Sequence, residues 1–137
     1  MMHFARVAAR FMDAAEVIEL HHDKKVDAPS GTAVQTARDI RHARGADLPD
    51  PRVERWTLEG SRGAVDGGVR IHSVRLPGFN AHQEVLFGSI GQVLSIRHDA
   101  LGREAYLPGV ALAVREVPKQ IQPGLMRGLD TLMGLSR

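Results

Sequence analysis

A chain of 137 residues, 43% hydrophobic and 25% charged, has the length of one ordinary domain and the composition of a globular one, with no apolar run able to span a bilayer. Its 18 Lys and Arg against 16 Asp and Glu give a formal charge of only +2, and aromatic residues make up 4%, a poor footprint for nucleic acid, which needs clustered cations and stacking platforms. The absence of cysteine excludes a disulfide framework, a thiolate metal site and a thiol nucleophile; no basic segment leads into an apolar one, so no signal peptide is expected and the cytoplasm is the expected compartment.

In chain order, Phe4, Val7, Ala8, Phe11, Met12 and Ala15 recur at helical spacing and predict an amphipathic helix over roughly 2–14 with these side chains on one face. A helix that begins so early, with no cap before it, reads as an element cut from a longer chain or as a frayed terminus. "EVIEL" (16–20) has the branched centre of a strand. Ser30 is a good cap for a second helix running to about Arg44, with Ala33, Ala37 and Ile40 on one face, and "RGADLPDP" (44–51) ends it. "VERWTLE" (53–59) is a candidate strand and "GSRGAVDGG" (60–68) a loop. "VRIHSVRL" (69–76), "HQEVLFGS" (82–89) and "QVLSIRHD" (92–99) read as short strands separated by "PGFNA" and "IG". "LPGVALAVREV" (107–117) reads as a helix with proline in its first turn, followed by an apolar, glycine-interrupted tail over 122–137 with few obvious partners. The fold class expected is α+β, an open mixed sheet with helices packed on one face.

The chemistry concentrates in "ELHHDKKVDAPSGTA" (19–33), at a strand's carboxyl end and before a helix. No GxGxxG, P-loop, GxSxG or HExxH occurs, so neither an autonomous dinucleotide site nor a hydrolase or zincin is supported. His21, His22, Asp23, His82 and His98 are candidates for a metal, but adjacent residues on a strand face opposite ways, and no metal is expected. An anionic small molecule fits better. The residue before Pro29 is held out of the α region, which aims the helix start. There the Gly31 and Thr32 amides point outward, the Ser30 and Thr32 hydroxyls add donors, and the helix dipole favours negative charge. Lys25 and an imidazole upstream add groups that can move protons. Taken singly, each feature has a plainer reading: a cap, a solvated charge run, surface histidines.

The string from His21 to Ala33, in the pattern E-x-H-H-x-x-K-x-D-A-P-S-G-T-A, resembles the signature of 4-hydroxy-tetrahydrodipicolinate reductase, formerly dihydrodipicolinate reductase, of bacterial diaminopimelate and lysine synthesis. "AHQEVLFGSIGQVLSIRHDA" and "YLPGVALAVR" resemble the second domain of that family, so the similarity covers nearly the whole chain. The resemblance implies that His21 is the proton donor or acceptor, that Lys25 is the acid that protonates the ring, and that His22, Ser30, Gly31 and Thr32 hold a cyclic dicarboxylate. It implies NADPH or NADH as coenzyme of the full-length enzyme, and a homotetramer built mainly through sheets of this domain.

Family members begin with a Rossmann domain of roughly a hundred residues or more, and this sequence contains none. The resemblance therefore implies a substrate-binding and oligomerisation domain over 1–106 and, over 107–137, a helix and tail that in the family pack with the dinucleotide domain. It also implies that the chain alone is inactive and binds neither coenzyme tightly. The alternative is a non-catalytic anion-binding or assembly module; neither reading calls for nucleic acid or membrane.

Overall fold

The computed structural model describes residues 1–119, 124–126 and 128–135, in two compact units divided after Asp99. The first carries α1 (Met2–Ala9), β1 (Ala14–His21), α2 (Gly31–Arg44), β2 (Ala64–Asp66), β3 (Val69–Arg75), β4 (Ala81–Ser89) and β5 (Gln92–Ala100), the last running one residue past the division. The strands form one open sheet in the order β2-β3-β1-β4-β5. β1 is its centre, parallel to β3 and antiparallel to β4, with Val17 opposite both Ile71 and Val85.

Side chains alternate across the sheet, so Ala15 and Val17 of β1 share one face with Val69 and Ile71 of β3 and with Val85 and Phe87 of β4. The helices cover that face. Ala33, Ala37 and Ile40 of α2 and Ala5 and Ala9 of α1 join the same buried cluster. Alanine at four of the facing helix positions keeps side-chain bulk small where α1 meets α2. This is the α+β arrangement the sequence predicts. On the opposite face Ile18, Leu20, Val74 and Leu86 are only half-buried, among ion pairs joining Glu16 to Arg62 and His72, and Arg97 to Glu84 and Asp99.

α2 runs as expected. Ser30 accepts from the Ala33 amide at 3.2 Å as its N-cap, and Gly45, at φ 77°, turns the chain out of the last helical turn. α1 is shorter than its periodicity predicts. The Arg10 and Phe11 amides bond back to Val7 and Ala8 in a tightened turn, and Arg44 donates to the carbonyls of Ala9 and Met12, satisfying the helix end there. Its buried residues are Ala5 and Ala9, with Met12 just beyond, whereas Phe4, Val7 and Phe11 are exposed.

Residues 53–59 form no strand, and Trp56 and Leu58 are exposed. A strand appears instead inside the expected loop, because Gly67 and Gly68, both at positive φ (57° and 81°), close a two-residue hairpin that pairs Asp66 with Val69. Outside that turn, Leu48 donates its amide to the Gly67 carbonyl at 3.0 Å.

The second unit holds a 3₁₀ turn (Arg103–Tyr106), α3 (Leu107–Glu116) with Pro108 in its first turn, and a 3₁₀ turn at Val117–Lys119. The expected apolar tail lies partly outside the described residues. Of the rest, Met133, Gly134 and Leu135 bond back to Leu129, Thr131 and Asp130, and Leu129 lies against Gly109 of α3, where an added Cβ would come within 2.8 Å of its Cδ1.

Gly68 separates conformational from steric demand. A Cβ there would stand 1.9 Å from the Leu48 carbonyl oxygen, whereas one on Gly45 would meet nothing within 4 Å. Gly45→Ala is expected to cost about 1–2 kcal/mol of left-handed strain, and Gly68→Ala distinctly more, read as the difference in urea unfolding free energy.

Candidate functional site

Parallel neighbours finish together, and β1 and β3 end side by side at His21 and Arg75, with β4 beginning opposite at Ala81. Ligands gather at such carboxyl ends because the connections leaving them can be shaped freely. The Leu76 amide donates to the His21 carbonyl at 3.1 Å, drawing the chain after β3 across the end of β1. The connection from β1 to α2 starts with a turn, the Lys25 amide on the His22 carbonyl at 3.2 Å, and its Ala28–Pro29 peptide bond is cis.

One fully buried carboxylate organises this end. Glu19 continues the core-facing alternation of Ala15 and Val17, which puts a charge where an apolar residue is expected. Arg75 grips it with both Nη nitrogens, at 3.0 Å to Oε2 and 2.8 Å to Oε1. The His21 Nδ1 lies 2.5 Å from Oε2, and the Ser30 amide donates to Oε1 at 3.2 Å. Burial pushes the Glu19 pKa up, but the hydrogen bonds from Arg75, Ser73, His21 and the Ser30 amide together outweigh it and hold the carboxyl below its ordinary value of 4.5. Arg75 also donates to the Asp27 carbonyl at 2.7 Å, fastening the connecting loop to the same ion pair. Its own pKa is raised, chiefly by the bond to Glu19.

The residues singled out in the sequence divide by environment. His21 is largely buried, with Nδ1 turned to Glu19. His22 lies beyond the strand and is exposed. Lys25 pairs with Asp27 at 2.7 Å, and that bond holds the Asp27 carboxyl below the usual range. Ser30 is 3% exposed, with its hydroxyl engaged as the cap and its amide on Glu19, so it shapes the helix entrance from inside.

Gly31 and Thr32 are exposed, and their amides have no protein partner among the described residues. The first turn of α2 contains no acidic residue, so no carboxylate of that turn answers the helix dipole. A Cβ on Gly31 would meet nothing within 4 Å, so the space on that side of the helix start is open. The arrangement can hold an anion on those two donors while the imidazole and the ammonium handle protons.

Sequence reasoning passed over Glu19 and Arg75, although a signal was present. Both occupy core-facing strand positions, Glu19 after Ala15 and Val17, Arg75 after Val69, Ile71 and Ser73, and a charge at such a position requires a partner. Among the described residues no three His, Cys, Asp or Glu side chains group to hold a metal, and no helix is long and apolar enough to cross a membrane. A shallow cavity of about 250 Å³ lies at the other end of α2, lined by Arg41, His42, Gly45, Ala46 and Asp47, away from this chemistry.

Residues 1–133 match the family described as dihydrodipicolinate reductase, C-terminus. Curated relatives named 4-hydroxy-tetrahydrodipicolinate reductase include those of Dehalococcoides mccartyi, 53% identical over 98% of this chain and 50% of the relative, and Mycobacterium ulcerans, 53% identical over 98% and 54%. That of Shouchella clausii is 55% identical over 97% of this chain and 50% of its own length. A solved structure, a dipicolinate-bound dihydrodipicolinate reductase from Paenisporosarcina, superposes with a TM-score of 0.85 at 45% identity, over 95% of this chain and 48% of that one. The chain thus spans about half the length of the curated relatives it matches.

The depressed Glu19 pKa makes its contribution to stability fully present above 4.5, its value when unfolded, and lost as pH falls through the lower folded value. Urea midpoints should therefore be level above 4.5 and decline as pH falls below it. Arg75→Met should lower stability at neutral pH by at most about 3–5 kcal/mol, since Arg75 is partly exposed, and should flatten the acid decline. An acid decline equally steep in both proteins would remove the ion pair as its cause.

Proposed function

The chain belongs to the dihydrodipicolinate reductase family, matching its C-terminal domain, and from that premise we propose that it is the substrate-binding and assembling part of an oxidoreductase that reduces 4-hydroxy-tetrahydrodipicolinate to tetrahydrodipicolinate with NADH or NADPH and loss of the hydroxyl as water, in diaminopimelate and lysine synthesis. The observation that carries this reading is the pair of unengaged amides at Gly31 and Thr32, joined through Ser30 and Glu19 to the His21 imidazole. A ring carboxylate seated on the two amides gains charge-assisted hydrogen bonds and the favourable end of the helix dipole. In this reading Thr32 and the exposed His22 complete the dicarboxylate contacts, and Ser30 acts from beneath, through its cap.

The residues described here do not fit a dinucleotide. β1 passes into α2 through 22–30, a connection with no glycine, so the GxGxxG turn that brings backbone against pyrophosphate has no counterpart there. The hydride donor is held outside this chain, and the chain alone binds coenzyme weakly and turns over poorly or not at all. What its own residues do is anchor the dicarboxylate and deliver a proton. As electron density builds on the ring during reduction, Lys25 supplies a proton from its ammonium once it exchanges Asp27 for substrate, and His21 exchanges protons alongside it. Residues 107–137 pack with the dinucleotide-binding half in the complete enzyme, leaving 1–106 as the substrate-binding and assembly domain.

Dipicolinate is the probe, because a related structure carries it. Its titration into this chain is expected to shift the Gly31 and Thr32 amide resonances. Gly31→Pro removes one donor at the first helical position, where proline is tolerated, and should weaken binding at least about tenfold, the value of one hydrogen bond to a charged group. No shift at either amide refutes the site. Fused to the preceding half of the Dehalococcoides relative, His21→Ala and Lys25→Ala should each lower kcat far more than they raise KM. Binding retained in a fusion without turnover would favour the non-catalytic anion-binding module.

The uncovered sheet face is the surface we assign to self-association as a tetramer. It combines half-buried Ile18, Leu20, Val74 and Leu86 with Val93, which is 75% exposed. Light scattering should give the tetramer mass, and Val93→Asp should shift the population to smaller species; a monomer in the unaltered protein contradicts the assignment.

A further inference from the structure

Glu19 has a second consequence, which rests on the reading of His21 as the proton-handling group. We infer that Glu19, held by Arg75, is a positioning residue that keeps His21 in the Nδ1–H tautomer, so that Nε2 is the atom that exchanges protons, and that locks the imidazole to the anion-binding entrance of α2.

A carboxylate only accepts hydrogen bonds, so the proton shared across the 2.5 Å contact belongs to Nδ1 while Glu19 is ionised. The groups around it keep it ionised: Arg75 from β3 with two bonds, Ser73 from the same strand, and the Ser30 amide from the start of α2. A neutral imidazole with Nδ1 protonated presents a lone pair at Nε2, and an imidazolium in the same pose presents Nε2–H. Both states of a proton shuttle therefore act through one atom in one direction. This is the service that a buried acid performs for the histidine of a hydrolytic triad. Of the other charges at this end, Lys25 and Asp27 of the loop pair with each other, Asp23 and Lys24 are exposed, and the residue across β4, Ala81, carries none.

A histidine beside an acid is not by itself a sign of such a role. His72 pairs with Glu16 and His82 with Asp99, both at 2.7 Å, on the opposite face of the sheet. What distinguishes Glu19 is that its two oxygens divide the work. Oε2 orients the imidazole, and Oε1 takes the amide of the residue that caps α2, one position before the free donors of Gly31 and Thr32. Imidazole and anion cradle are thus referred to one immobile group. Exposed partners would drift independently.

Two-dimensional ¹⁵N–¹H spectra of histidine side chains in the unaltered chain near neutral pH test the first half directly, with His72, which uses Nε2 toward its acid, as an internal contrast. His21 is expected with Nδ1 protonated; a proton on Nε2 overturns the inference. Glu19→Gln replaces the acceptor by an amide able to donate, and should mix or invert the His21 tautomers while weakening dipicolinate about tenfold, in the range of lost outer-sphere partners. If that variant fails to fold, Arg75→Lys keeps the charge and removes the two-pronged grip, with the same expected direction. Unchanged tautomer and affinity in the variant that folds overturn the positioning role. Tautomer control by Glu19 without dipicolinate binding in the unaltered chain would support the role and refute the dicarboxylate reading of the site it serves.

Discussion

The ion pair between Glu19 and Arg75 is the constraint on which this end of the molecule depends. A carboxylate with no exposure, placed on the core side of a central strand, is tolerated only when its lone pairs are taken up, and here four groups take them up. They come from three pieces of the site and its scaffold: Arg75 and Ser73 from the neighbouring parallel strand, His21 from the strand's own end, and the Ser30 amide from the helix entrance. Replacing such a pair by apolar residues can leave a fold as stable as before. The pair is therefore better understood as an arranger of its neighbours than as a source of stability.

The topology makes that arrangement available. Parallel β1 and β3 bring Glu19 opposite Ser73 and His21 opposite Arg75 in direct register. The connection through α2 then returns the chain to the same sheet face, so the helix that covers Val17 and Ile71 also begins beside Glu19. Core packing and site geometry share one helix. A change that shifted α2 on its alanine contacts would move the Gly31 and Thr32 amides with it. The two faces of the sheet consequently differ in character. The covered face ends at the exposed first turn of α2, and the uncovered face carries branched residues among ion pairs.

The elements most legible in the sequence were those whose signals are local. α2 announced itself by Ser30 at its start and Gly45 at its end, and the strands from 69 onward by alternation and turn glycines. Where the reading missed, distant contacts had decided. The stripe of Phe4, Val7 and Phe11 has helical spacing, yet α1 buries its alanines, because α2 packs against α1 and the buried cluster takes the alanine side. Residues 53–59 have strand-forming side chains but pair with no strand, while the three residues 64–66 gained strand geometry from β3 through the Gly67–Gly68 turn.

Of the site, the sequence by itself determined the inventory and its order: two histidines, a lysine, and a capped helix start with a glycine at its first position, a pattern specific enough to indicate the family before any coordinates. Only the tertiary structure decided which of these groups act on one another. Glu19 and Arg75 lie 56 positions apart, and their meeting follows from the parallel pairing of β1 with β3. Ser30, a candidate ligand by its hydroxyl, became an internal brace because that hydroxyl satisfies the helix and its amide satisfies Glu19. The physical reason is the same in each case. Spacing along a chain fixes which face of an element a side chain occupies, but burial and hydrogen-bond partners are set by what the fold brings against that face.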